Sequence, residues 1–108
     1  MDLLEFGQNI PHFRGVFMRN TLPKTPKTYE CGIVNLDTSS GPGSHWVAYF
    51  KRKKHVEYFD SFGNLQPPVE IRKYLGNNIV YNHERFQKFN TVICGHLCIK
   101  FLLNKRFD

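Results

Sequence analysis

A cysteine stands at the start of an apolar segment, Cys94–Leu103, whose pattern predicts a short buried helix. Asn90 or Thr91 can cap this helix by accepting a hydrogen bond from a free backbone N–H. In the first turn, the Cys94 thiol would lie where the helix dipole is positive and backbone N–H groups lack intrahelical partners. Such a position favours the thiolate, which is the reactive form of cysteine. The segment therefore predicts a nucleophile that needs a base to take its proton.

The predicted base is His45, which a β-hairpin would bring next to Asp60. The hairpin consists of a strand at 44–50, a charged turn at 51–54 and a second strand at 55–60. A symmetric turn would place positions 45 and 60 directly opposite each other, with Cβ atoms about 4.5–5.5 Å apart. His45 would then take the proton of Cys94, and Asp60 would orient the imidazole and stabilise the imidazolium. A register slip of one residue would separate the two side chains.

Gln87 stands seven positions before Cys94 and is the predicted oxyanion residue. Its side-chain amide, together with the backbone N–H of Cys94, could bind the oxyanion of a tetrahedral intermediate. Each residue also has a plainer explanation, because a cysteine on an apolar helix is usually part of the core. A zinc site built from Cys94, His96 and Cys98 matches no common ligand spacing, so we expect no metal. The combination with the histidine–aspartate pair favours catalysis.

The size and charge of the chain limit the class of protein. Its 108 residues should form one domain, 1–108, and its three cysteines indicate a reducing compartment rather than a disulfide framework. We expect neither a secreted nor a membrane protein, because no segment resembles a signal peptide or a membrane span. The net charge of +6 favours acidic partners. The run Lys51, Arg52, Lys53 and Lys54 is usually a solvated turn; the functional alternatives are a contact to nucleic-acid phosphates or a nuclear import signal.

The remaining pattern predicts an α+β domain, with a small, mainly antiparallel sheet packed against the buried helix that starts at Cys94. Both faces of the hairpin carry apolar residues, which favours a central position in the sheet. Further strands are predicted at 13–19, 30–36 and 78–81, further helices at 2–8 and 69–75, and loops at 21–28 and 38–43.

Five segments resemble the adenovirus protease (adenain) family, which is related to the cysteine proteases that remove SUMO-like modifiers. In chain order they are Pro11-His12-Phe13-Arg14-Gly15, Cys31-Gly32-Ile33-Val34-Asn35, Gly43-Ser44-His45-Trp46-Val47-Ala48-Tyr49, Tyr58-Phe59-Asp60-Ser61-Phe62-Gly63 and Gln87-x6-Cys94-Gly95. By this resemblance, His45, Asp60 and Cys94 form the catalytic triad. Gln87 is the oxyanion residue, and Trp46 packs beside the histidine. The adenain family usually has Glu at the position of Asp60, whereas the SUMO proteases usually have Asp.

The resemblance implies a minimal adenain-like cysteine endopeptidase from a virus or a virus-like mobile element. It would cleave viral precursor proteins, with small residues such as Gly near the scissile bond. No cofactor is required, although the resemblance implies DNA as an activator. Two alternatives remain: a deconjugating protease that acts on ubiquitin-like or SUMO-like tails, and a non-enzymatic DNA-binding or assembly module that retains the fold. We expect the protein in the host nucleus or cytoplasm, or in the virion.

Overall fold

The computed structural model describes residues 3–37, 45–61, 63, 66–76, 78–82 and 94–107. Within these residues the strands are β1 (Phe13–Met18), β2 (Tyr29–Asn35), β3 (Trp46–Arg52), β4 (His55–Phe59) and β5 (Ile79–Tyr81). The helices are α1 (Leu3–Gly7), α2 (Val69–Leu75) and α3 (Cys94–Leu103). Each predicted strand and helix is present, with ends shifted by up to two residues, while the predicted loop at 38–43 lies outside the described residues. None of these helices has the length and apolarity required to cross a membrane.

The strands form one sheet in the order β1-β2-β3-β4-β5. The two inner pairs, β2–β3 and β3–β4, are antiparallel, and the two outer pairs, β1–β2 and β4–β5, are parallel. The α+β class is therefore confirmed, but the sheet is mixed rather than mainly antiparallel. A parallel pair requires a crossover connection, which α2 provides between β4 and β5. The pattern within a strand does not reveal this, because it gives the buried face but not the direction of the neighbouring strand.

Helices cover both faces of the sheet, and the alternation of side chains along β3 assigns its residues to one face or the other. Ala48 and Phe50 belong to a cluster with buried residues of α3, whereas Val47 and Tyr49 belong to a second cluster with buried residues of α2. All four residues are at most 3% exposed. The predicted central position of this strand is therefore confirmed.

Helix α3 is amphipathic rather than buried on all sides. Its residues Cys98 and Leu102 are at most 2% exposed, whereas Leu103 is 64% exposed. The prediction of a buried helix is therefore wrong at Leu103, which points about 100° away from Leu102 because successive residues of a helix differ by that angle. The buried side of α3 packs against the sheet, in the same cluster as β3.

The hairpin of β3 and β4 has a register two residues away from the predicted one. A symmetric turn with position 45 opposite 60 would also put position 50 opposite 55, whereas the structure places Arg52 opposite His55. The turn is therefore only Lys53 and Lys54, with Lys53 at a φ of 55°. Arg52 stays in the strand because β2 pairs with it on the other side, and the Lys53 N–H donates to the Thr28 carbonyl at 2.8 Å. A shift of two residues leaves each side chain on its original face.

Candidate active site

His45 and Asp60 lie at the same end of the hairpin, one immediately before β3 and the other immediately after β4. His45 Nε2 is 2.8 Å from Asp60 Oδ1. The observed register, continued past the last pair, puts Asp60 opposite Val47, so His45 lies diagonally across from Asp60 rather than directly opposite. A diagonal neighbour is still within reach of an aromatic side chain. The two side chains therefore meet as predicted, although the predicted register is wrong.

The pair is shielded from solvent, since the side chains of His45 and Asp60 are 14% and 2% exposed. Shielding strengthens the attraction between a carboxylate and an imidazolium. When Nε2 carries the proton that it donates to Asp60, Nδ1 holds the lone pair that can accept another proton. The arrangement can therefore orient a histidine base and stabilise its charged form.

The backbone of His45 is fixed by its neighbours in the sheet. Its carbonyl accepts a hydrogen bond from the Leu36 N–H at 2.9 Å, and the next residue, Trp46, pairs with Asn35 of β2. Trp46 is half-buried and packs against the cluster that β3 shares with α3. Pairing with β2 and the residue after it thus fixes the main chain at His45 and at Trp46.

The backbone of Asp60 is fixed by Gly63 and Asn82. The Gly63 N–H donates to the Asp60 carbonyl at 2.8 Å, with Gly63 at a φ of 76° in the left-handed region that favours glycine. The Asn82 side chain makes two bonds: Oδ1 accepts from the Asp60 N–H at 2.8 Å, and Nδ2 donates to the Asp60 carbonyl at 2.7 Å. Sequence reasoning missed Asn82, because the only signal is an asparagine directly after a predicted strand.

Helix α3 runs antiparallel to β4. Phe101 stacks on Phe59 with ring centroids 5.0 Å apart, and one turn later Lys105 forms an ion pair with Glu57. Phe59 is the residue before Asp60. The residues of α3 that precede Phe101 are therefore directed toward the end of the sheet that carries the histidine–aspartate pair.

Cys94 begins α3 seven residues before Phe101, which corresponds to roughly 10 Å along the helix. The helix therefore starts near the end of the sheet where His45 lies. Gly95, in its first turn, is buried. The Cys94 side chain and the whole of Gln87 lie outside the described residues, so their roles as nucleophile and oxyanion donor stay predictions.

The other two cysteines are buried thiols in the core. Cys31 in β2 is 1% exposed and Cys98 in α3 is 0% exposed. Burial, reinforced by the neighbouring Glu30 carboxylate, raises the pKa of the Cys31 thiol to about 12. His96 is exposed, so it faces away from the buried Cys98, and the described residues contain no cluster of three metal-ligating side chains.

The basic run Lys51–Lys54 lies at the opposite end of the hairpin from His45. Three of its four residues are exposed. An open depression of about 500 Å³ beside the turn is lined by Arg52 and also by Lys105 and Arg106, which follow α3. The fold therefore adds Arg106, and Lys105 in its ion pair with Glu57, to this end of the hairpin, which the sequence does not reveal.

Comparisons with known proteins identify viral cysteine proteases as relatives, although no protein-family model matches the chain. The chain is 45% identical over 49 residues to a cysteine protease of African swine fever virus from a Malawi tick isolate, covering 42% of this chain and 18% of the relative. It is 38% identical over 61 residues to a protein named SUMO-1 cysteine protease from a South African isolate, covering 52% of this chain and 22% of the relative. The crystal structure of the protease of this virus superposes with a TM-score of 0.50 at 24% identity, covering 76% of this chain and 37% of that chain.

The chain spans about a fifth of the length of these curated relatives. Their names confirm the predicted resemblance to cysteine proteases of viral origin that are related to SUMO proteases. The structural superposition confirms the predicted α+β fold of this class of protease.

Proposed function

We propose that this chain carries the catalytic core of a viral cysteine endopeptidase. The observation that supports this most strongly is the buried hydrogen bond between His45 and Asp60, at the end of the sheet near which the helix of Cys94 begins. The similarity to proteins named as viral cysteine proteases agrees with this chemistry.

In the proposed mechanism, His45 Nδ1 takes the proton of the Cys94 thiol, and the thiolate attacks the carbonyl carbon of the scissile peptide bond. Asp60 keeps the imidazole oriented and stabilises the imidazolium. The Cys94 backbone N–H and the Gln87 amide stabilise the oxyanion, and one such donor is worth about 3–4 kcal/mol in the transition state. The imidazolium then protonates the leaving amine. Water hydrolyses the acyl-enzyme, with His45 again acting as the base.

The proposed substrates are viral precursor proteins with small residues such as Gly beside the scissile bond. A ubiquitin-like tail is the second candidate, and the name of one relative, a SUMO-1 cysteine protease, favours it. The proposed place of action is the host nucleus or cytoplasm, or the virion.

The test is hydrolysis by the purified full chain of two substrates: peptides that span Gly-containing precursor junctions, and a SUMO–reporter fusion. We expect wild type to cleave the peptides and Cys94→Ser to cleave neither substrate. If the protein cleaves only the SUMO–reporter fusion, its proposed function becomes deconjugation rather than precursor processing. Cleavage that Cys94→Ser retains would contradict the proposed nucleophile.

DNA is the proposed activating partner, and the basic residues Lys51–Lys54 with Lys105 and Arg106 are the proposed contact surface. Contacts to phosphates release counterions, so affinity should fall steeply between about 50 and 200 mM salt. Fluorescence anisotropy of a labelled duplex measures this for wild type and for a Lys53→Glu, Lys54→Glu variant. Equal binding by both proteins would contradict a contact at the turn.

A further inference from the structure

We propose that Asn82 is a positioning residue for the histidine–aspartate pair: its side-chain amide fixes the main chain of Asp60 so that the carboxylate meets His45 Nε2. The importance of this contact for catalysis rests on the function proposed above. The contact itself does not, because all three residues belong to the described part of the chain and their hydrogen bonds are present in the fold.

Asn82 directly follows β5, at the point where the β4–β5 ladder ends. Tyr58 and Tyr81 form the last pair in the register of these parallel strands. Asn82 is one position beyond this pair and Asp60 is two positions beyond it. The Asn82 side chain bonds both main-chain polar groups of Asp60, at 2.8 Å and 2.7 Å. A primary amide offers the same donor and acceptor as a peptide group. Beyond the last backbone pair of β4 and β5, the Asn82 side chain therefore takes the place of a β5 peptide group in bonding the chain that follows β4.

Two bonds to one residue restrict Asp60 more than a single bond would. The N–H and the C=O lie on opposite sides of the Asp60 Cα, so holding both limits rotation of the main chain and fixes the direction of Cβ. The carboxylate then stays in place to accept the hydrogen bond from His45 Nε2. Asp60 is only 1% exposed, so water has little access to replace a lost amide.

Few side chains could take the place of Asn82. Asp has the same size and keeps the acceptor, but an ionised carboxylate has no donor for the Asp60 carbonyl. Leu has a similar size and neither group. The variant Asn82→Asp therefore loses one of the two hydrogen bonds, and the variant Asn82→Leu loses both.

The first readout is the ring N–H signal of His45 in the full chain labelled with ¹⁵N-histidine, assigned by its absence in His45→Ala. A hydrogen bond to a carboxylate moves such a proton to low field and protects it from exchange. We expect this signal in wild type, its loss in Asn82→Leu, and a weaker signal in Asn82→Asp. A role in general sheet stability alone would not remove the signal from a folded variant.

The second readout separates kcat from KM in peptide hydrolysis. A displacement of a catalytic group by about 1 Å can cost about 100-fold in rate, so we expect Asn82→Leu to lower kcat by about tenfold or more. KM should change by less than about twofold, because Asn82 acts on Asp60 rather than on the substrate.

The matched control is Val56→Ala. Val56 is 3% exposed on β4, and Ile79 is its partner on β5, so the substitution weakens the same pair of strands without touching Asp60. We expect this variant to keep the low-field signal and to change kcat by less than about twofold, at a temperature where it is folded.

A folded Asn82→Leu that keeps both the His45 signal and the wild-type kcat would overturn the proposal. If Asn82→Leu does not fold, Asn82→Asp is judged by the same two readouts. A wild type that shows the signal and cleaves no substrate, with the signal lost in Asn82→Leu, would support the positioning role and contradict only the proposed protease function.

Discussion

Replacing Asp60 with Asn removes the charge of the carboxylate and keeps the size of the side chain. The contact that changes is the 2.8 Å hydrogen bond from His45 Nε2 to Asp60 Oδ1, between side chains that are 14% and 2% exposed. A hydrogen bond to a charged group in such a shielded place is worth about 1.5–3 kcal/mol. Because about 1.4 kcal/mol corresponds to a factor of ten in rate, Asp60→Asn should lower kcat/KM by about 10- to 150-fold.

The assay is hydrolysis of a fluorogenic peptide near neutral pH, and the chain offers a matched control on the same strand. His55 Nε2 lies 3.0 Å from Glu57 Oε2, but the His55 side chain is 54% exposed and lies at the opposite end of the hairpin. Glu57→Gln removes the charge from this histidine pair and from the ion pair with Lys105, which follows α3 at the end far from Cys94. Because both contacts lie at the opposite end of the hairpin from His45 and are partly solvated, we expect it to change kcat/KM by less than about twofold. Asp60→Asn activity close to that of wild type, or an equal loss in Glu57→Gln, would refute this reasoning.

Two further predictions concern residues in the core. Alkylation of the native protein at pH 7 should label Cys94 and spare the other two cysteines. Cys98 is 0% exposed, and the pKa of Cys31 is raised to about 12 by burial and by the neighbouring Glu30 carboxylate. Peptide mass spectrometry measures this, and early labelling of either buried thiol would contradict it. Tyr49→Phe should lower the free energy of unfolding by about 1–3 kcal/mol, because the Tyr49 hydroxyl donates to the buried Glu30 carboxylate at 2.6 Å. In the control Tyr58→Phe, the buried hydroxyl that is removed has no hydrogen-bond partner among the described residues, so urea denaturation should show no loss of stability, because the hydroxyl makes no bond that offsets its desolvation. Equal losses in both tyrosine variants would show that the bond to Glu30 adds nothing.

The side-chain alternation in the hairpin is sufficient to predict the contact between His45 and Asp60, but not the register of the strands. Alternation repeats every two residues, so a pairing shifted by two keeps the same residues on the same face. The shift arises because the Lys53 N–H bonds the Thr28 carbonyl, a contact with the chain that leads into β2. The residue pattern of the hairpin alone cannot predict such a contact between distant segments.

The features that sequence reasoning missed depend on residues that lie far apart in the chain. Asn82 reaches Asp60, 22 residues earlier, only through the register of the parallel pair β4–β5. Glu30 is a charged residue at a strand start, yet it is 0% exposed and accepts hydrogen bonds from Tyr49 and Tyr74. Tyr74 lies on α2, 44 residues away from Glu30. The hydrogen bonds that offset the cost of burying the Glu30 carboxylate therefore cannot be predicted from the sequence near Glu30.

The measurement that tests the central claim most directly is the rate of Cys94 alkylation against pH, in wild type and in His45→Ala. An ordinary thiol gains reactivity as it ionises, near a pKa of about 8.5. We predict fast labelling of wild type well below that pH, because the helix start and His45 both favour the thiolate, and slower labelling of His45→Ala. Equal rates with an ordinary thiol profile in both proteins would contradict the claim that Cys94 and His45 form a nucleophile–base pair.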